Sequence, residues 1–165
     1  MGLDIDAFDT RSIDAAIKQL RTLQAKLDAA PEKAAEKAAD RAATIVAQNL
    51  IGIPDYDGNS PGDVFNNKSG QGERLVGMTG EQVEFLEYGT GVVGQTSQKP
   101  DGMNIPADWA YNTGTHIHNN HWVYNDMRHG GWPTMTSGIP AYAPVYNAKV
   151  QLEEEIPEIV AEVLK

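Results

Sequence analysis

Ile13, Ala16, Ile17, Leu20, Leu23 and Leu27 recur at steps of three and four residues, an apolar stripe that predicts a helix beginning near Thr10 or Ser12. Either hydroxyl residue suits an N-cap, and Asp14 sits near the positive end of the helix dipole. Beyond Pro31 a narrower stripe of mostly small residues continues through Ala35, Ala38, Ala42, Ile45, Val46 and Asn49. Proline donates no amide hydrogen, so a stop, a kink or a fresh first turn is expected at Pro31. Unbroken, roughly 38 helical residues would run ~57 Å, longer than a domain of this size is wide. The helix therefore either folds back at Pro31 or projects to meet another subunit.

The pattern then changes. Ile53 to Gly72 is rich in turn formers and reads as a loop. Glu73–Val76, a Gly77–Gly80 turn and Gln82–Tyr88 read as a β-hairpin, with Val83 and Phe85 facing one way and Glu84, Leu86 and Tyr88 the other. Gln95 to Gly138 holds short strands at best, such as Trp122–Tyr124, between long aromatic loops of the kind usually functional or ordered by a partner. After Pro140 and Pro144, Val145, Ala148, Leu152, Ile156, Ile159 and Val163 predict a terminal amphipathic helix, kinked or restarted at Pro157. The fold class is α+β, a single domain over 1–165: a helical part (1–50), a part of small antiparallel sheet and long loops (51–149), and a C-terminal helix (150–165).

Composition supports that division, since 51–149 holds fifteen of the sixteen Gly, seven of the nine Pro and every Trp and Tyr. Charge narrows the function classes. With 13 Lys and Arg against 23 Asp and Glu, the net charge is −10, the reverse of what phosphate neutralisation on nucleic acid or adhesion to anionic lipid requires. There is no Cys for disulfides, thiolate metal sites or thiol nucleophiles. No apolar run approaches the ~20 residues of a spanning helix, and the opening Met1-Gly2-Leu3-Asp4 is unlike a basic signal region.

Several motifs suggest chemistry. Gly89-Thr90-Gly91-Val92-Val93-Gly94 fits G-x-G-x-x-G, but that mechanism needs a βαβ unit and a helix N-terminus, whereas Gln95–Pro100 reads as a loop. Glycines permitting a tight exit from a strand explain it better. Gly58-Asn59-Ser60-Pro61-Gly62 fits G-x-S-x-G, yet Pro61 in a Gly/Asn/Asp-rich stretch indicates a turn and not a nucleophile elbow. His116, His118 and His121, with Asp126 and His129 nearby, are the best metal candidates and suit zinc by ligand type. Their spacing matches no established ligand signature, so loop histidines bonded to backbone or water are the simpler reading, and no cofactor is expected. Trp109, Tyr111, Trp122, Tyr124, Trp132, Tyr142 and Tyr146 could stack bases or sugars, but 51–149 has ten acids and five bases and lacks the positive funnel that accompanies such grooves. Protein contacts or loop cores fit these aromatics better.

Val83-Glu84-Phe85-Leu86-Glu87-Tyr88-Gly89-Thr90-Gly91 resembles the aromatic–Glu–aromatic–Gly–Thr–Gly strand end of small head–tail joining proteins of long-tailed bacteriophages, variously called neck, tail-completion or minor capsid proteins. The long N-terminal helix, the Trp/Tyr-rich Trp109–Trp132 segment, and Gly138-Ile139-Pro140-Ala141 followed by Tyr146-Asn147-Ala148 at the entry to the last helix match the same pattern. Where the family has Arg-Pro-aromatic, this chain has Tyr142-Ala143-Pro144-Val145. The resemblance implies an α+β subunit without chemistry of its own, assembled in the host cytoplasm and located in the virion neck. It would meet copies of itself in a ring, a connector or head-completion protein, and the tail terminator or tail tube, with no membrane partner. Glu87, Tyr88, Gly89, Thr90, Gly91, Gly138, Pro140, Tyr146 and Asn147 are then the structural and interface residues. Glu73, Glu81, Glu84, Glu153, Glu154 and Glu155 are candidates to line a lumen in which carboxylates repel the phosphates of passing DNA. A tail-terminator ring capping the tail tube, a hydrolase using the His116/His118/His121 cluster, and a non-viral module binding peptide or sugar are the alternatives.

Overall fold

The computed structural model describes residues 10–51, 53, 62–80, 82–111, 122–126 and 130–165. Their architecture is mixed α+β, with a long N-terminal helix, antiparallel strand pairs and a C-terminal helix.

Helix α1 runs from Thr10 to Leu50 without a break at Pro31. Forty-one residues extend about 62 Å. The sequence allowed the chain to fold back or project, and it projects: Pro31 is solvent-exposed, where the carbonyl it leaves unpaired can reach water. The last helix, α4 (Pro144–Leu164), likewise continues through Pro157. It lies antiparallel to the C-terminal half of α1. Asn49 Nδ2 donates to the Pro144 carbonyl at 3.0 Å, Arg41 meets Glu155 at 2.6 Å, and Lys37 meets Glu162 at 3.0 Å.

The first hairpin differs from the sequence expectation. Strand β1 (Asp63–Gly70) lies in the segment read as a loop and pairs antiparallel with β2 (Glu73–Thr79), from Asp63 opposite Thr79 to Gly70 opposite Glu73. Gly77 is inside β2, and the turn falls at Gln71–Gly72. The polar run Asn66-Asn67-Lys68-Ser69 carries little strand propensity. It is held extended by β2 and by α1, where Asp40 accepts from Asn66 Nδ2 at 2.8 Å. Glu32 accepts from Lys68 Nζ and the Gly72 amide, both at 2.6 Å, and from Arg74 at 3.3 Å. These partners hold the Glu32 carboxyl below its usual range, the Lys68 hydrogen bond most of all.

Val83–Tyr88, expected to be the second strand, is a short helix, α2. Its alternating apolar positions are too few to separate a period of two from one of 3.6. Burial of Leu86, which is fully enclosed, decides the matter. A second short helix, α3 (Gly91–Thr96), occupies a stretch read as part of a strand exit and loop. Strands β3 (Trp122–Asp126) and β4 (Trp132–Thr136) pair antiparallel, and β5 (Gly138–Ile139) bridges back to Thr90 and Gly91. Ile45 and Val46 of α1, Met78 of β2, Leu86 of α2, Ile139 of β5 and Ala148 of α4 form one core cluster.

Candidate functional site

The two sequence segments that carry the family resemblance are far apart in the chain and interlock in the fold. The Leu86 carbonyl accepts from the Tyr142 and Ala143 amides at 2.9 and 3.1 Å. Thr90 and Gly91 bridge Ile139 and Gly138. Ser97 Oγ accepts from the Ala141 amide at 3.2 Å.

Glu87 stands at the centre of this junction. Ala143, the N-cap of α4, is buried in a left-handed conformation and offers no side-chain acceptor, and Pro144 has no amide hydrogen. The next two orphan donors of the helix are therefore Val145 and Tyr146. Glu87 takes both, Oε2 from Val145 N at 3.0 Å and Oε1 from Tyr146 N at 2.8 Å. The acceptor that the local sequence lacks comes from α2, across 58 residues. Burial raises the Glu87 carboxyl above its ordinary value, outweighing the two amides that favour the anion. Tyr88 is also raised, first by burial and then by Glu87 and Glu84.

Glycine is required here for contact as well as torsion. A Cβ on Gly89, at φ +78°, would stand 2.8 Å from both Ala141 N and Gly94 Cα. On Gly138, at φ +105°, it would overlap the Thr90 carbonyl oxygen. Each position lets two backbones approach more closely than any side chain permits. The glycine run thus packs a strand bridge against α3 rather than opening onto a ligand. The first amide of α3, Gly91 N, already donates to the Tyr111 carbonyl at 2.5 Å. Lys99 Nζ binds carbonyls at the other end of α3, Gly94 at 2.7 Å and Ser97 at 3.2 Å.

Trp109 closes one side of the junction. Its Nε1 donates to the Gly89 carbonyl at 3.2 Å, and its ring centroid lies 5.3 Å from Tyr88, 5.9 Å from Phe85 and 6.4 Å from Tyr111. Tyr146 Oη donates to the Asp101 carbonyl at 2.8 Å, and Asn147 Nδ2 to the Tyr142 carbonyl at 3.0 Å, so both tie the start of α4 to adjoining loops. Pro140 lies half-buried between β5 and Ala141.

The carboxylates named as lumen candidates fall into different environments. Glu73, Glu84, Glu153 and Glu154 are exposed, Glu153 lying 3.5 Å from Lys149. Glu155 is turned onto Arg41, whose guanidinium holds its carboxyl down at about 2 and is itself raised by the pair. Glu81 lies outside the described residues, as do His116, His118, His121 and His129. Among the described residues no group of three His, Cys, Asp or Glu is placed to hold a metal ion, and no helix is long and apolar enough to cross a membrane.

A groove of about 530 Å³ runs between α1, β2 and α4, lined by Ala38, Ala42, Val76, Ala148 and Leu152 with Arg74 at its edge. Arg74 is bound by Glu32 at 3.3 Å and faces Glu36 at 3.8 Å. No protein-family model, curated protein or solved structure matches this chain.

Proposed function

We propose that the chain is a structural subunit of the neck of a long-tailed phage, forming part of a ring that joins the DNA-filled head to the tail and encloses the channel for DNA. The observation that carries the reading is the interlock of the two resembling segments, Leu86–Gly91 and Gly138–Asn147, through the Glu87 cap and the Thr90–Ile139 and Gly91–Gly138 bridges. Motif residues with a shared structural task explain why both segments would be kept together. An α1 that outruns the body of the subunit suits ring packing, in which heterologous contacts close on themselves.

The acid excess has a role in such a ring. Exposed Glu73, Glu84, Glu153 and Glu154 supply a wall that repels phosphates, so that duplex DNA slides without adhering. The partners are copies of itself, the connector or head-completion protein, and the tail terminator or tail tube.

Cryo-electron microscopy of intact particles tests this reading. The chain is expected at the junction between capsid and tail, and its loss should leave filled heads and free tails that fail to join. A virion lacking the polypeptide overturns the proposal. A ring with these carboxylates outward and Lys and Arg inward overturns the lumen assignment.

A further inference from the structure

The first part of α1, residues 10–30, is an arm that runs on beyond the last cross-helix ion pair, Lys37 with Glu162. Its apolar stripe is covered unevenly. Ala16 is buried, while Ile13, Ile17, Leu20, Leu23 and Leu27 are 36, 42, 51, 54 and 53 % exposed in that order. Cover is greatest at the end where the chain enters the helix and falls off towards the body of the molecule. Large apolar side chains left in a row in water represent an unrealised burial term.

We propose that residues 1–9, which lie outside the described residues, fold back along the arm of the same chain and cover this stripe as a strap. Three observations select this occupant. The first is position. Because α1 begins at Thr10, Asp9 stands at the cap position, to which its side chain is suited, and Phe8 stands just before it. An apolar residue at that place packs against the fourth residue of the helix. Here that residue is Ile13, the least exposed of the five large side chains. Such a contact turns the incoming chain onto the stripe.

The second is length. An extended chain advances about 3.3 Å per residue and a helix about 1.5 Å. Residues 3–9 therefore run about 23 Å, against about 21 Å between Ile13 and Leu27. Leu3, Ile5 and Ala7 alternate with Asp4 and Asp6, so an extended run gathers its apolar side chains on one face.

The third is charge. Residues 1–9 hold Asp4, Asp6 and Asp9 and no Lys or Arg, whereas the arm holds Arg11, Lys18, Arg21 and Lys26 against Asp14 and Asp28. Strap on arm brings opposite charges together, and arm on arm brings like ones. Docked, the strap replaces an apolar face with one that bears carboxylates, and a neighbour using the stripe must first displace it. The inference concerns a single chain and does not rest on the neck reading.

The chain has no cysteine, so introduced thiols report the contact without background. In Asp4→Cys with Gln24→Cys, a short bis-maleimide should join the two thiols within one chain of 17.9 kDa, as read by mass spectrometry and peptide mapping. Asp4→Cys with Lys33→Cys should not link: Lys33 lies about 35 Å along α1 from Thr10, and residues 4–9 reach only about 20 Å. Gln24 and Lys33 are both exposed, so neither change disturbs the core. Leu3→Asp with Ile5→Asp should release the strap and speed amide hydrogen exchange across residues 13–27 about tenfold, with exchange in α4 unchanged.

Links to Gln24 that form only between chains overturn the proposal in favour of a second copy, and the absence of any link overturns it outright. Arm exchange that is the same in wild type and in Leu3→Asp with Ile5→Asp also overturns it. Pelleting of the full chain with phosphatidylserine-containing vesicles, lost in Leu23→Glu, overturns it in favour of a lipid surface. Each of these outcomes leaves the neck reading to particle imaging.

Discussion

Removing the Glu87 carboxylate should uncap α4 and loosen the junction that joins both halves of the molecule. In Glu87→Ala, the Val145 and Tyr146 amides lose acceptors at 3.0 and 2.8 Å, with no side chain at Ala143 to replace them. Hydrogen bonds to a charged group contribute about 1.5–3 kcal/mol each. Burial opposes the anion, and Glu87 is only half-buried, so water recovers part of the loss. The net expectation is about 2–3 kcal/mol for Glu87→Ala and about 1 kcal/mol for Glu87→Gln, which retains one acceptor. Urea titration followed by circular dichroism reads both as a shift in midpoint at constant slope.

The pH dependence separates the two effects acting on this carboxyl. A folded pKa raised above the unfolded value means that the folded state binds the proton more tightly. The Glu87 contribution is then fully present below the ordinary carboxylate range and declines as pH rises through the raised value. The stability gap between wild type and Glu87→Gln should therefore be larger at acid pH than at neutrality. A gap that widens as pH rises refutes the dominance of burial over the two amides at this carboxyl, and a Glu87→Ala change below about 0.5 kcal/mol refutes the account of the cap.

Gly138→Ala should destabilise by about 3 kcal/mol or more, since its Cβ meets the Thr90 carbonyl as well as an unfavourable φ. Gly72→Ala, at φ +69° with its nearest neighbours 3.8 Å away, should lose only about 1–2 kcal/mol in the same urea assay. Arg41→Ala should let the Glu155 carboxyl rise from about 2 towards its ordinary 4.5, as read by carbon NMR titration. Because a depressed carboxyl stabilises above its ordinary value and loses that contribution as pH falls through about 2, the variant should also lose less stability than wild type across that acid window. Pro31→Ala should raise stability by about 1–3 kcal/mol, because the ring removes an amide donor from an otherwise continuous helix. A lower thermal midpoint in that variant would refute the view that Pro31 costs the helix stability.

The helices were legible because their stripes are long. Ile13 to Val46 and Val145 to Val163 repeat the same period over many turns, and neither Pro31 nor Pro157 outweighs it. The hairpin was displaced because its first strand is built from Asn, Lys and Ser, whose extended state depends on Asp40 and Glu32 in α1 and cannot be read locally. For α2 the local signal pointed the wrong way. Val, Phe and Tyr favour strands, and the helix forms because it buries Leu86 and aims Glu87 at α4.

That last element shows where a signal for the junction lay unused. Ala143-Pro144 begins a helix without any of the residues that cap one, so two amides must find an acceptor elsewhere or be left unpaired in a partly buried place. A glutamate flanked by Leu86 and Tyr88 is the complementary anomaly, a charge set among side chains that exclude water. Each is unfavourable alone and satisfied by the other. Glu87 and the start of α4 are therefore expected to be energetically coupled: Glu87→Ala combined with Ala143→Ser, a serine able to cap if it can leave the left-handed conformation, should lose less stability than Glu87→Ala alone. Strict additivity in that cycle would mean that the carboxylate is held at the helix terminus by its surroundings without stabilising it.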